Sequence, residues 1–318
     1  MSFRKRLLYF LLIALVLGGL DALCAPFVIA HGLRYWIGWA ARKHHLVAEI
    51  GGVDAPFLRA VTIRDLRIRS AKGTTSEVAF HAAAVVVDLN IRGWAFSQRA
   101  HLLRSLSAEH FSGKIDVSTR AAAPRLDWRL LAHLLPDNFR IDHFDLDVTT
   151  TTTAFRFRDV VLSASAIESG KFFAQEISVT SPLLRRTFAN LRGATSWEAG
   201  HLTIGGIPLV PGLDLEALTI DLSHLARRRL GVDLHLDTYG GTLRASFQGR
   251  AGEKKFAVDV AGSAANISLA QFSQAIGFLE PITGAVRASK FTFRGSPGES
   301  LDATASVWIE LTDFAWRA

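Results

Sequence analysis

The residues that could do chemistry in this 318-residue chain are scattered. There are 11 histidines, yet no pair has metal-ligand spacing. His44 and His45 are adjacent, so on a helix they diverge by ~100°. H-E-x-x-H and Cys-rich zinc patterns are absent. His201 and His235 fall on the polar sides of strand-like runs and read as solvated surface groups. Asp142, Asp145 and Asp147 form the densest carboxylate group, and Asp145 and Asp147 share a strand face. A cation loop would need a Gly-rich turn and further oxygen ligands, which the neighbouring sequence lacks. Cys24, the one cysteine, lies in the apolar N-terminal stretch. That removes an internal disulfide, a thiolate metal centre and a cysteine nucleophile from the body. Neither G-x-S-x-G nor a P-loop lysine motif occurs. The expectation is a protein that is not an enzyme and needs no cofactor or metal.

The informative pattern lies in residues without reactive groups. Phe144, Leu146 and Val148 alternate with Asp145, Asp147 and Thr149. Leu218, Ile220 and Leu222 alternate with Thr219, Asp221 and Ser223, and Val232, Leu234 and Leu236 with Asp233, His235 and Asp237. Strand side chains alternate faces, so each run is apolar on one side and wet on the other. Many such strands without helices to cover them produce a large apolar face. It must pack against another sheet, as in a sandwich, or hold something greasy.

Composition fits a folded chain with 49% hydrophobic residues, 25 Gly and 9 Pro. The net charge of +7 comes from 36 Lys and Arg against 29 Asp and Glu, without the basic block of a nucleic-acid binder. Arg227, Arg228 and Arg229 form the one basic cluster in the body. They read as a solvated hairpin loop, with a lipid-headgroup contact as the functional alternative.

Leu7 to Ala30 is apolar except for Asp21. As a helix it is ~36 Å long, enough for a ~30 Å hydrocarbon layer. Arg4, Lys5 and Arg6 precede it and place the N-terminus in the cytoplasm, although Arg34, Arg42 and Lys43 oppose that signal. A cleaved signal peptide is the rival reading, disfavoured because Ala22-Leu23-Cys24 is a poor cleavage site. Residues 1–30 are therefore read as a membrane anchor and 31–45 as a juxtamembrane helix, with Trp36 and Trp39 at the interface. Residues 46–318 form a β-rich body.

Within the body, Val61 to Arg69 alternates in two phases separated by Asp65, which predicts a bulge. Trp128 to Leu135 reads as a short helix capped by Asp127 and stopped by Pro136. Leu269, Phe272, Ile276 and Leu279 fall at helical spacing before Pro281. Gly205-Gly206, Pro211-Gly212 and Gly240-Gly241 read as turns. About fourteen strands result. No βαβ pattern accompanies them, so the sheet is expected to be antiparallel and built from consecutive hairpins.

Several stretches resemble the AsmA-like superfamily of the Gram-negative envelope, which includes the AsmA, TamB and YdbH types. They are Val232 to Leu243 with its Tyr239-Gly240 turn, the helix from Leu269 into Glu280-Pro281-Ile282-Thr283-Gly284, and Phe291-Thr292-Phe293-Arg294-Gly295. The N-terminal anchor and the Trp128 to Pro136 helix leading into a strand are also similar. The resemblance implies a single-pass inner-membrane protein with its bulk in the periplasm. It implies a mainly β fold, an N-terminal transmembrane helix followed by a long, curved antiparallel sheet forming an open hydrophobic groove. The groove would hold phospholipid acyl chains in transport between inner and outer membrane, with an outer-membrane or periplasmic partner protein. Phe144, Leu146, Val148, Leu218, Ile220, Leu222, Val232, Leu234, Leu236, Phe291 and Phe293 would line it. The alternative is an envelope scaffold that assists or regulates outer-membrane protein assembly. No nucleic-acid partner is expected.

Overall fold

The computed structural model describes residues 26–43, 45–56, 59–71, 77–90, 103–116, 128, 132, 134–252, 256–280, 282–296 and 299–316. A helix, α1, spans 26–43 and covers residues 31–43 of the expected juxtamembrane helix, whereas His45 lies in a turn with φ 58°. The anchor residues before Pro26 lie outside the described residues, and so does most of the Trp128 to Leu135 helix. Trp128 and Ala132 are themselves helical. Among the described residues no helix is long and apolar enough to cross a membrane.

Strands make up 73% of the described residues, and fifteen of them form one curved, open sheet. They are β1 (Leu46–Asp54), β2 (Val61–Ser70), β3 (Glu77–Leu89), β4 (Leu103–Asp116), β5 (Asn138–Thr149), β6 (Ala154–Ser165), β7 (Gly170–Thr180), β8 (Arg185–Glu198), β9 (His201–Val210), β10 (Leu213–Asp221), β11 (Arg229–Thr238), β12 (Gly241–Ala251), β13 (Phe256–Ser268), β14 (Ile282–Ser296) and β15 (Glu299–Trp316). A second helix, α2 (Leu269–Ile276), joins β13 to β14 where the apolar spacing predicts it. Spatial order equals chain order.

The expectation of a wholly antiparallel sheet is corrected at one place. β4 and β5 run parallel, with Leu106 opposite Phe139 and Gly113 opposite Leu146. A parallel neighbour requires the chain to cross back, and residues 117–137 are long enough to do so. Two strands, β1 and β8, go beyond those the alternation marks. Gly205-Gly206 is also not a turn but lies inside β9. Gly205 has no Cβ because the Glu216 carbonyl of the next strand occupies that space.

The bulge predicted at Asp65 belongs to a line of irregular residues. Asp65 in β2, His110 in β4, His143 in β5, Asp159 in β6 and Asn190 in β8 all have positive φ, between 47° and 55°. The strand pairings set His110 beside His143 and bring Asp159 level with them. Each such residue rotates the strand, so apolar side chains on both sides of it share one face. Ile63 and Leu66, Ala108 and Phe111, Ile141 and Phe144, and Phe188 and Leu191 are examples. Bulged residues bend strands, and a line of them across neighbouring strands is a crease. Side-chain bonds hold it: His143 Nδ1 lies 2.7 Å from Asp159 Oδ1, and the Asp159 N–H donates to Asp145 Oδ1 at 2.9 Å. The His110 and His143 rings stack at 4.8 Å.

The sheet also curls across its strands. The Phe139 and Trp197 rings meet edge-on at 5.4 Å. They stand on β5 and β8, three strand spacings or ~14 Å apart in a flat sheet. Trp197 Nε1 donates to the Pro136 carbonyl at 3.0 Å in a buried site. Both rings belong to the apolar face, so the curl is toward that face. At the opposite strand ends, the β7–β8 turn is clasped to the chain after α2. The Arg185 N–H donates to the Gly277 carbonyl at 2.8 Å, and the Leu279 N–H to the Leu183 carbonyl at 3.0 Å. This clasp spans β8 to β13, which would lie flat over about 25–30 Å. The sheet therefore rolls into a narrow ring there. Ile207, Leu213, Thr238 and Ile267 fill it, each at most 2% exposed, beneath Ala275 of α2.

Candidate functional site

Directly opposed residues in a sheet share a face, so the register shows where each expected lining residue points. Phe144, Leu146 and Val148 stand opposite Val160, Phe157 and Phe155, and these continue to Ala174, Ile177 and Val179 on β7. Further along, Leu218 is followed across β11 to β15 by Leu234, Ala245, Gly262, Phe291 and Val307. Ile220 is followed by Val232, Phe247, Val260, Phe293 and Ala305. Leu215 is paired with Leu236 in the same set. Leu222 lies just past the end of β10 and packs against the same apolar cluster as Ile220. All eleven residues thus belong to one continuous apolar face, which the alternation alone could not establish across strands.

None of the eleven is fully buried. Ten are half-buried, and Phe293 is 37% exposed. A sandwich core would cover such residues with a second sheet. Among the described residues no second sheet exists. Two parts of the face are filled from within. Trp197 closes the curl over Phe139 and Leu135, and α2 with the ring residues closes the clasped end. The expected open groove is therefore interrupted at these places. Elsewhere the face carries aromatic rows. Phe80, Phe111 and Phe144 are spaced by 5.6 and 5.3 Å. The rings of Phe80 and Phe291 lie over Gly113 and Gly262, where a Cβ would collide with them.

Among the described residues, one charged side chain interrupts this face. Arg186, on β8 beside the clasp, stands opposite Val179 and ends the row from Val148 through Phe155. Its guanidinium sits 5.6 Å from the Phe188 ring.

The polar face is built from small and charged residues. A hollow of about 490 Å³ is lined by Thr219, His235, Arg244 and Lys290 together with Ala217, Leu234, Ala261 and Phe291, so its wall mixes polar heads with mainly apolar surface. The same face brings Glu216, His235 and Asp237 together, with ligand atoms within 4.8 Å of one another. Sequence spacing missed this group because Glu216 protrudes at a register shift in β10. His235 Nδ1 lies 2.8 Å from Glu216 Oε2, while Arg244 Nε donates to His235 Nε2 at 3.2 Å. Both ring nitrogens are engaged and a guanidinium abuts them, so the donor set reads as an ion-pair network. Asp142 and Asp147 pair with Arg140 and Arg158, each at 2.6 Å. His201 Nε2 lies 3.3 Å from Asp221.

Two carboxylates titrate below their ordinary value. For Asp65 the main cause is the hydrogen bond from His81, at 2.9 Å, reinforced by Arg67. For Asp221 burial is the largest influence and pushes upward. Hydrogen bonds from the Ser223 hydroxyl and N–H, with the nearby His201 and His224, outweigh it. Neither group lies on the apolar face. Arg227, Arg228 and Arg229 are all exposed: Arg227 ends a 3-10 turn anchored by buried Leu225, Arg228 caps it and Arg229 opens β11.

On α1, Trp36 and Trp39 are 44% and 47% exposed beside Phe27 and Tyr35 at 67% and 71%. Lys43 Nζ lies 5.3 Å from the Trp39 ring. Aromatic rings bordered by a cation suit a membrane–water boundary. Compared with models of known protein families and with curated proteins, the chain matches none.

Proposed function

We propose that the protein is a membrane-anchored lipid-binding trough of the bacterial envelope, AsmA-like in design, that shelters phospholipid acyl chains in the periplasm on their way between membranes. The observation that carries this reading is the continuous apolar face whose eleven candidate residues remain half-covered, with no second sheet among the described residues to bury them. Each CH₂ withdrawn from water gains ~0.8 kcal/mol, so a chain of about sixteen carbons gains on the order of 10 kcal/mol. That gain needs no catalytic group and no fixed side-chain identity. The exposed aromatic belt of α1 would seat the molecule at a membrane surface, with Trp36 and Trp39 at headgroup depth.

The test is native mass spectrometry of the full chain extracted in mild detergent. Phospholipid bound in stoichiometric amount is the expected result. Protein free of lipid that is instead recovered with outer-membrane assembly factors would replace this reading by that of an envelope scaffold.

A further inference from the structure

We infer that Arg186 is the phosphate-binding residue of the trough, holding the anionic headgroup of a phospholipid whose acyl chains lie on the adjoining apolar row. This inference rests on the lipid-binding reading and adds to it a polar end for the ligand.

The register puts Arg186 on the same face as Val179, Phe155 and Val148, where every neighbour in the row is apolar. Its Nε is buried and has no hydrogen-bond acceptor. Among the described residues no carboxylate lies within ion-pairing distance of it, and its guanidinium meets only the Phe188 ring. Two arginines of neighbouring strands differ from it in face and partner. Arg140 and Arg158 are on the polar side and carry carboxylate partners. A buried guanidinium N–H left without an acceptor is costly. Its N–H fork matches two oxygens of a phosphate, which would supply the missing acceptors and charge.

The position fits an amphiphile. Behind Arg186 stands the clasp, where the Arg185 N–H bonds to Gly277 and the ring interior is packed. Ahead of it runs the half-covered row of Val179, Phe155 and Val148. A ligand seated there has its charge at the closed end and its alkyl chains along the open face. A neutral diacylglycerol would satisfy the row and leave Arg186 unpaired.

The experiment measures binding of fluorescent phosphatidylglycerol and of diacylglycerol with the same acyl chains to the purified full chain. The wild type is expected to prefer phosphatidylglycerol about tenfold, equivalent to ~1.4 kcal/mol. Arg186→Gln should remove that preference and leave diacylglycerol binding unchanged. Arg186→Lys, which keeps the charge but not the fork, should retain part of it, and it serves as the variant if Arg186→Gln does not fold by circular dichroism. An unchanged preference in a folded variant overturns the inference while the trough stands. Complete displacement of phosphatidylglycerol by inorganic phosphate would assign the site to free phosphate and overturn the headgroup. A wild type that binds neither lipid overturns the trough itself.

Discussion

Replacing Leu234 by Asp separates a lipid-lined face from a merely decorative one. Leu234 sits between Leu218 and Ala245 on the apolar face and is half-buried. A fully buried leucine is worth about 1.5–3 kcal/mol. Half of that, with partial desolvation of the new carboxylate, puts the folding cost at roughly 1–2 kcal/mol. A domain with about 5–15 kcal/mol of stability survives that loss. Against an acyl chain the balance differs. A chain lying over the carboxylate removes its water with no hydrogen bond in return, at a cost of several kcal/mol. A loss of about 3 kcal/mol lowers affinity by more than a hundredfold. The assay extracts lipid from the purified protein and measures phospholipid per chain. Leu234→Asp should be nearly empty and Ile220→Asp likewise, whereas Thr292→Asp, exposed on the opposite face, should retain wild-type lipid. A folded Leu234→Asp that holds as much lipid as the wild type refutes the reasoning.

Gly277 has φ +73° and abuts the Arg185 carbonyl, so Gly277→Ala should break the clasp. It should cost about 1–2 kcal/mol and speed tryptic cleavage at Arg185 and Arg186, and an unchanged digestion rate would count against the clasp. Leu184 and Phe278 are bridge partners with hydrogen bonds on either side, so Leu184→Cys with Phe278→Cys, in a Cys24→Ser background, should oxidise to a disulfide without loss of structure. Asn190 sits in the crease with φ 55°. Asn190→Val should lower stability in urea by about 1–2 kcal/mol more than Asn190→Gly, and equal midpoints would remove the crease from the argument. Asp221 has a folded pKa below its ordinary 3.8. Its stabilisation is present above that value and is lost as pH falls through the lower folded one. Acid unfolding curves of Asp221→Asn should therefore fall less steeply below about pH 4 than those of the wild type.

Legibility in the sequence follows the side chains that face the apolar side. Asp65 is visible because its flanking runs are large and their phase breaks cleanly. β8 is not, because Gly193 and Thr195 stand where bulky residues would signal a strand. Ile207 occupies the space a Cβ at Gly193 would need, and the Thr195 hydroxyl donates to the Ser163 carbonyl across the start of β7. Curvature thus erases the pattern that announces a strand. The Gly205-Gly206 pair misleads for the same reason, since close strand approach and a turn both select glycine. The direction of β5 is illegible because alternation is identical in parallel and antiparallel strands. Arg186 is hidden as half of an Arg-Arg pair, and only the register shows which face it takes. The clasp joins Leu184 to Phe278, and no local pattern links residues so distant in sequence.

The two curvatures divide the work of making a concave face from one layer. The crease bends individual strands through residues whose backbone tolerates positive φ, and Asp, Asn and His accept that conformation at modest cost. The curl draws neighbouring strands together and needs small residues where they crowd, as at Gly170 against the Ser163 carbonyl. Neither device covers the apolar side chains. Val307 and Ile309 at the last strand are 70% and 48% exposed, and half-buried apolar rows continue from them back to β5. A sheet closed into a barrel or sandwich would bury those rows with its own side chains. This one stays open along its face while its clasped end is packed solid. The ring therefore packs its own apolar side chains, while no other described part of the chain covers the remaining apolar surface.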